Sequence, residues 1–168
     1  MTPLPPPLGP AELVAWRLDE TRYAPIWDRG EGSYRVGGRW NSKGVRAVYC
    51  CLDPACAILE VAAHKGFKAL DTVAHTLSAL TITDASRVHV VDPSALPNSN
   101  WLAPGIPSAW QQTYGDGLLA AHPFVVIPSA VSTNSWNLIF VAANAGGAYA
   151  QRSQAAFALD TRLHPPPP

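Results

Sequence analysis

Short apolar runs separated by turn-forming residues dominate the pattern of this chain. Residues 45–51 are β-branched and aromatic and predict a strand. Residues 76–83, 87–91, 124–127 and 137–142 read the same way. Residues 11–18 fit a first strand or one helical turn, and the strand is preferred. One helix is clear: Asp53 suits an N-cap, Pro54 the first turn, and PACAILEVAAH runs about three turns toward Gly66. Its expected apolar stripe is Ala55, Ile58, Leu59 and Ala62. A shorter helix is predicted over 113–121. Residues 28–44 hold five of the twelve glycines and read as a long loop, as do residues 93–110 with four prolines. The residues between the last two predicted strands, PSAVSTNSW, are polar and turn-forming. No repeat is visible. This order predicts an α+β fold with mixed or antiparallel sheets and a few helices.

The 168 residues amount to one ordinary domain. Five prolines lie in the first ten residues and four close the chain. The expected organisation is a disordered start at 1–10, a folded domain at 11–164 and a proline tail at 165–168. With 12 Lys+Arg against 12 Asp+Glu, bulk charge argues against direct nucleic-acid binding. No apolar run approaches the ~18 residues of a membrane span. The start lacks the basic and apolar regions of a signal peptide, and Cys50, Cys51 and Cys56 do not form a disulfide framework. A reducing cytoplasm is therefore expected.

Familiar motifs fail. Gly30-x-Gly32 lacks the third glycine of a dinucleotide fingerprint, and neither a P-loop nor G-x-S-x-G occurs. Cys56 and His64 lie near Glu60, but their number and spacing make small buried thiols the better reading than a metal site.

Only four glutamates occur, and Glu60 alone sits in an apolar helix. Cys56, Glu60 and His64 share one helical edge. That edge either faces water or lines a cleft. Arg39, after paired glycines, either binds a phosphate or stacks on Trp40. Arg17, between Trp16 and Leu18, points into a cleft or outward. Tyr49 either stacks on a flat ring or belongs to the core. Together these residues suit a dinucleotide glycoside.

The residues that carry chemistry also carry a resemblance. Trp16-Arg17-Leu18, GGRWNSKG at 37–44, AVY at 47–49 and ILEVAAH at 58–64 resemble the RES domain family, toxins of RES–Xre toxin–antitoxin modules. Further matches are TYGDGLL at 113–119, IPSAV at 127–131 and LDTRL at 159–163. The resemblance implies a compact fold like that of ADP-ribosyltransferases and NAD+ as substrate. It implies depletion of NAD+ by hydrolysis or phosphorolysis, as a glycohydrolase or phosphorylase, with some relatives transferring ADP-ribose to a protein. It also implies neutralisation by an Xre-like antitoxin. The family's site residues correspond to Arg17, Arg39, Tyr49, Glu60 and Ser129. Asn137 precedes the last apolar strand, where Phe140-Val141-Ala142 replaces the family's usual Asn-Pro.

In the mechanism this implies, ionised Glu60 stabilises positive charge on the nicotinamide ribose, and Arg17 and Arg39 hold the diphosphate and adenylate-side ribose. Tyr49 stacks on nicotinamide, and Ser129 donates to the ribose or carboxamide. No metal is expected. Competing readings are a non-enzymatic interaction domain and a glycosidase pairing Glu60 with Asp53.

Overall fold

The computed structural model describes residues 12–164. The proline-rich start and tail lie outside the described residues, as does Ala11. The chain runs through β1 (Leu13–Glu20), α1 (Glu31–Val36), β2 (Ala47–Cys51), α2 (Pro54–Lys65), α3 (Phe67–Thr72) and β3 (His75–Ile82). It continues through β4 (Val88–Val90), α4 (Ala109–Ala121), β5 (Phe124–Pro128), β6 (Trp136–Val141), α5 (Ala142–Ala145) and β7 (Tyr149–Phe157). Short 3₁₀ turns connect several of these. The fold is α+β, as the pattern predicts.

Among the described residues seven strands form one sheet, in the order β4-β5-β6-β2-β1-β3-β7. Only β4 and β5 pair in parallel; the other neighbours are antiparallel. The sheet has a seam. β1 pairs with β3 through eight residue pairs, whereas β1 meets β2 at one, Trp16 opposite Cys51. α2 lies across that seam. Leu18 of β1 packs with Ala62 of the helix, and Cys51 of β2 packs with Cys56 and Ala57.

Strand alternation divides the core in two. Val48, Cys50, Phe124, Val126, Leu138 and Phe140 point to one face, where they meet Trp27, Ala145 and Ala148. Ala47, Val125, Ile127 and Ile139 point to the other, where they meet Trp40 and Leu119 of α4. Tyr49 and Cys51 share the second face with Asn137, because each lies an even number of residues from a member of that set on its own strand.

Several expectations are corrected. The loop predicted at 28–44 contains α1, a six-residue helix opened by Gly30 at a left-handed φ of 59°. α4 starts a turn before residue 113, because Ser108 and Gln111 form a capping box. α3 and β7 were not expected. β7 is an edge strand whose residues 150–156 are all exposed, so its sequence carries no apolar alternation. The stripe of α2 is rotated from that expected: Cys56, Ala57 and Ala62 are buried, while Ala55 and Leu59 are exposed. Among the described residues, no helix is long and apolar enough to cross a membrane.

Candidate active site

One rung of the sheet sets out the site. Ile127 of β5 lies opposite Asn137 of β6, Asn137 opposite Cys51 of β2, and Cys51 opposite Trp16 of β1. α2 crosses above this rung. Its start is held by Asp53, whose carboxylate accepts from the Cys56 backbone N–H at 2.7 Å. That contact makes Asp53 an N-cap. Cys56 and Glu60, one turn apart, thereby come over Cys51 and Asn137.

Glu60 is half-buried, and its Oε1 accepts two hydrogen bonds. Ser129 Oγ donates at 3.0 Å and Asn137 Nδ2 at 2.9 Å. Both of these bonds fall on Oε1 and leave Oε2 to other partners. Ser129 is itself fixed, because its Oγ accepts from the backbone N–H groups of Val131 and Ser132. The polar turn after β5 thus orients one donor and strand β6 the other. Asn137 is 6% exposed, so its amide needs partners on both ends. Its Oδ1 accepts from Cys51 Sγ at 3.1 Å and, at 3.9 Å, from Cys56 Sγ.

The two thiols differ. Contact with the Cys51 thiol draws the Cys56 thiol below its usual value. Cys51, held by that same contact and deeply buried, is pushed up. Cys50 lies on the opposite face, where burial pushes its thiol up to about 12. His64, the third member of the predicted edge, is exposed. Cys51 takes its place beside Glu60, and the ligand atoms of Cys51, Cys56 and Glu60 lie within 4.8 Å of one another.

Tyr49 faces the loop at 37–42. Its hydroxyl accepts from the Trp40 N–H at 3.0 Å and donates to Asn41 Oδ1 at 2.7 Å. Burial, with the Asp116 and Glu60 carboxylates nearby, raises its phenol. Asn41 is fully buried and donates in turn to carbonyls of Ser33, Ser42 and Val45. α4 grips the same loop: Asp116 accepts from the Ser42 N–H at 3.0 Å, and Gln112 donates to the Gly38 carbonyl at 2.9 Å. Close approach is built in, since a Cβ on Gly115 would sit 2.1 Å from the Trp40 carbonyl oxygen.

The arginines stand differently. Arg17 shares the Ala15 side of β1, opposite Trp16 and Leu18. It is bidentate to Asp19, with Nη2 2.9 Å from Oδ1, and Nη1 donates to the Tyr49 carbonyl at 2.8 Å. Arg17 therefore ties β1 to β2 where the strands separate. Arg39 reaches the 101–105 loop and donates to the carbonyls of Trp101, Ala103 and Gly105 at 3.1–3.3 Å. The stack on Trp40 does not form: Trp40 is fully buried and its ring partners are Trp101 and Tyr114.

Of the six expected site residues, Glu60, Ser129 and Asn137 form one bonded group. Tyr49 and Arg17 adjoin it through β2, and Arg39 belongs to a separate loop contact. Cys51, Asp19 and Asp116 were not singled out. Cys51 and Asp19 left a readable signal, because Cys51 is two residues from Tyr49 and Asp19 two from Arg17, each on one strand face.

Among known proteins, the RES domain family matches residues 14–161. A relative named Toxin Res, from Photorhabdus laumondii subsp. laumondii, is 32% identical over 129 residues, covering 76% of this chain and 80% of its own. The crystal structure of the M. tuberculosis MbcT-MbcA toxin–antitoxin complex aligns with a TM-score of 0.69 at 20% identity, over 88% of this chain and 85% of that one. That likeness shows the fold. On the family match and the extent of the sequence relation, the chain belongs to the RES domain family.

Proposed function

We propose that this protein is a toxin-type enzyme that cleaves the nicotinamide–ribose bond of NAD+ and is held in check by a cognate antitoxin. The observation that carries the reading is the Glu60 carboxylate, fixed through one oxygen by Ser129 and Asn137. Nicotinamide leaves as a neutral molecule, so the reaction needs little help from a general acid. It needs negative charge beside the ribose as positive charge develops there, held without reorganisation. Oε2 of Glu60 is the oxygen left for ribose hydroxyls. Water then adds to the ribose carbon, giving nicotinamide, ADP-ribose and one proton; phosphate as acceptor gives ADP-ribose 1″-phosphate.

The remaining residues take supporting roles. Tyr49 uses its hydroxyl within the protein, so its contribution to the dinucleotide is the ring face. Arg17 holds the Tyr49 backbone and has its charge matched by Asp19. The Arg39 partners seen among the described residues are neutral carbonyls, and a diphosphate replaces them with a charge-assisted bidentate pair. The structural relative is a toxin in complex with an antitoxin, and the sequence relative is named Toxin Res. An Xre-like antitoxin is the partner proposed here.

Product analysis of NAD+ incubated with the purified chain, with and without phosphate, tests the reaction. Free ADP-ribose or its phosphate ester is expected. Label from adenine-tagged NAD+ on a protein band instead would favour ADP-ribosyl transfer. Glu60→Gln should lower turnover about 10²–10³-fold. Turnover within a few-fold of wild type would remove Glu60 from the mechanism.

A further inference from the structure

We propose that Cys51, Cys56 and Glu60 form a binding site for a thiophilic divalent cation such as Zn2+, and that its occupation withdraws Glu60 from the NAD+ reaction. The second half rests on the function proposed above; the first half does not.

The geometry is that of a site with little left to close. The two sulfurs and a Glu60 oxygen lie within 4.8 Å of one another. Zinc bonds of about 2.3 Å to sulfur and 2.1 Å to oxygen place tetrahedral donors roughly 3.6–3.8 Å apart. Convergence of about 1 Å therefore brings all three onto one ion. Both thiols stand on fixed backbone. Cys51 ends β2 in the middle of the sheet, and Cys56 is in the first turn of α2, pinned by Asp53. Four residues separate them, a spacing within the range of zinc-binding cysteine pairs.

Charge and hydrogen bonding also balance. Two neutral thiols and one carboxylate carry a charge of −1. Two thiolates, one carboxylate and one dication carry the same, with two protons released to solvent. The buried cluster thus gains no net charge on loading. Asn137 Oδ1 now accepts from both thiols. With those protons gone Oδ1 is free to serve the cation as a fourth donor, the second oxygen of the set, while Nδ2 still orients Glu60. A carboxylate bound to a dication no longer presents free negative charge to a ribose cation.

The test uses the full chain, stripped with a chelator and titrated with Zn2+ alone. Binding of one equivalent with release of about two protons is expected. Co2+ in place of zinc should give thiolate-to-cobalt charge-transfer absorption in the near ultraviolet. Cys51→Ser and Cys56→Ser should each lose that band, and Cys50→Ala should keep it. Glu60→Gln should weaken zinc by at least the roughly tenfold seen when outer partners are lost. NAD+ cleavage should fall on adding zinc and return with chelator.

No band and no proton release in the wild-type chain would overturn the site, whether or not the serine variants fold. A band that survives either serine substitution would overturn it too. Inhibition reversed by a thiol reductant and not by chelator would replace it with a Cys51–Cys56 disulfide. If metal-free protein leaves NAD+ intact, the proposed reaction fails, and the cobalt band still decides the site.

Discussion

Asn137 donates to Glu60 at 2.9 Å while accepting from Cys51 at 3.1 Å, so one amide sets the position of the carboxylate and is itself set by the strand beside it. Replacing that amide by a carboxylate tests positioning. Asn137→Asp puts two carboxylates within hydrogen-bond distance, and they must share a proton. NAD+ turnover should fall about 10²-fold, the scale of a misplaced catalytic group. The acid limb of the pH–rate profile should move to higher pH. A variant that merely unfolds in part would lose activity without moving that limb.

Tyr49→Phe removes a hydroxyl and keeps the ring. Asn41 Oδ1 and the Trp40 N–H would each lose a partner in a buried setting. Unmade buried hydrogen bonds of this kind cost about 1–3 kcal/mol. Urea unfolding should show a loss of that size with the slope unchanged. A variant as stable as wild type would show that the hydroxyl does not hold the 37–42 loop.

Two glycines of α4 should respond oppositely to the same substitution. Gly115→Ala drives a methyl group into the Trp40 carbonyl and should cost about 1–3 kcal/mol through overpacking. Gly117 has nothing within 4 Å of its would-be Cβ. Gly117→Ala should stabilise by about 0.5–1 kcal/mol, the helix preference for alanine. Thermal melts of the two variants decide it, and equal signs would disprove the close approach.

Glu20, at the end of β1, meets Lys65 at the end of α2 at 2.9 Å. The Lys65 hydrogen bond holds its carboxyl below the usual 4.5. A carboxyl lowered in the folded state contributes stability above its unfolded value, and the contribution is lost as pH falls through the folded value. Lys65 is largely solvated, so the pair contributes about 0.5 kcal/mol. Lys65→Met should be less stable than wild type by that amount near neutral pH. The difference should vanish in acid well below 4.5. A difference independent of pH would show that the stem of Lys65 matters, not its charge.

The sequence was most legible where burial is complete. β5 and β6 are buried on both faces, and their apolar runs announce them. β7 was silent because seven of its nine residues face water. α2 was found from its cap and its length, yet its buried face was misjudged. Small residues, Cys56, Ala57 and Ala62, let the helix lie close to the sheet, while the larger Leu59 stays partly exposed. At the site, Glu60 stood out as an acid in an apolar helix. Its neighbour Cys51 did not, because their contact depends on how a helix crosses a strand. Arg17 was undecidable for a related reason: beside Asp19 on its own strand, its second partner is a backbone carbonyl of β2, which no side-chain pattern records.

The single rung joining β1 to β2 has a consequence for how the molecule opens. On one side lies a four-strand ladder, β4-β5-β6-β2; on the other, the three-strand ladder β1-β3-β7. Backbone amides inside each ladder are locked by long runs of pairing, but few hydrogen bonds cross between them. Amide exchange should therefore resolve two cooperative blocks instead of one. α2, with its feet on Leu18 and Cys51, is the clasp between them, so a ligand gripping that helix at Glu60 would slow exchange in both blocks at once.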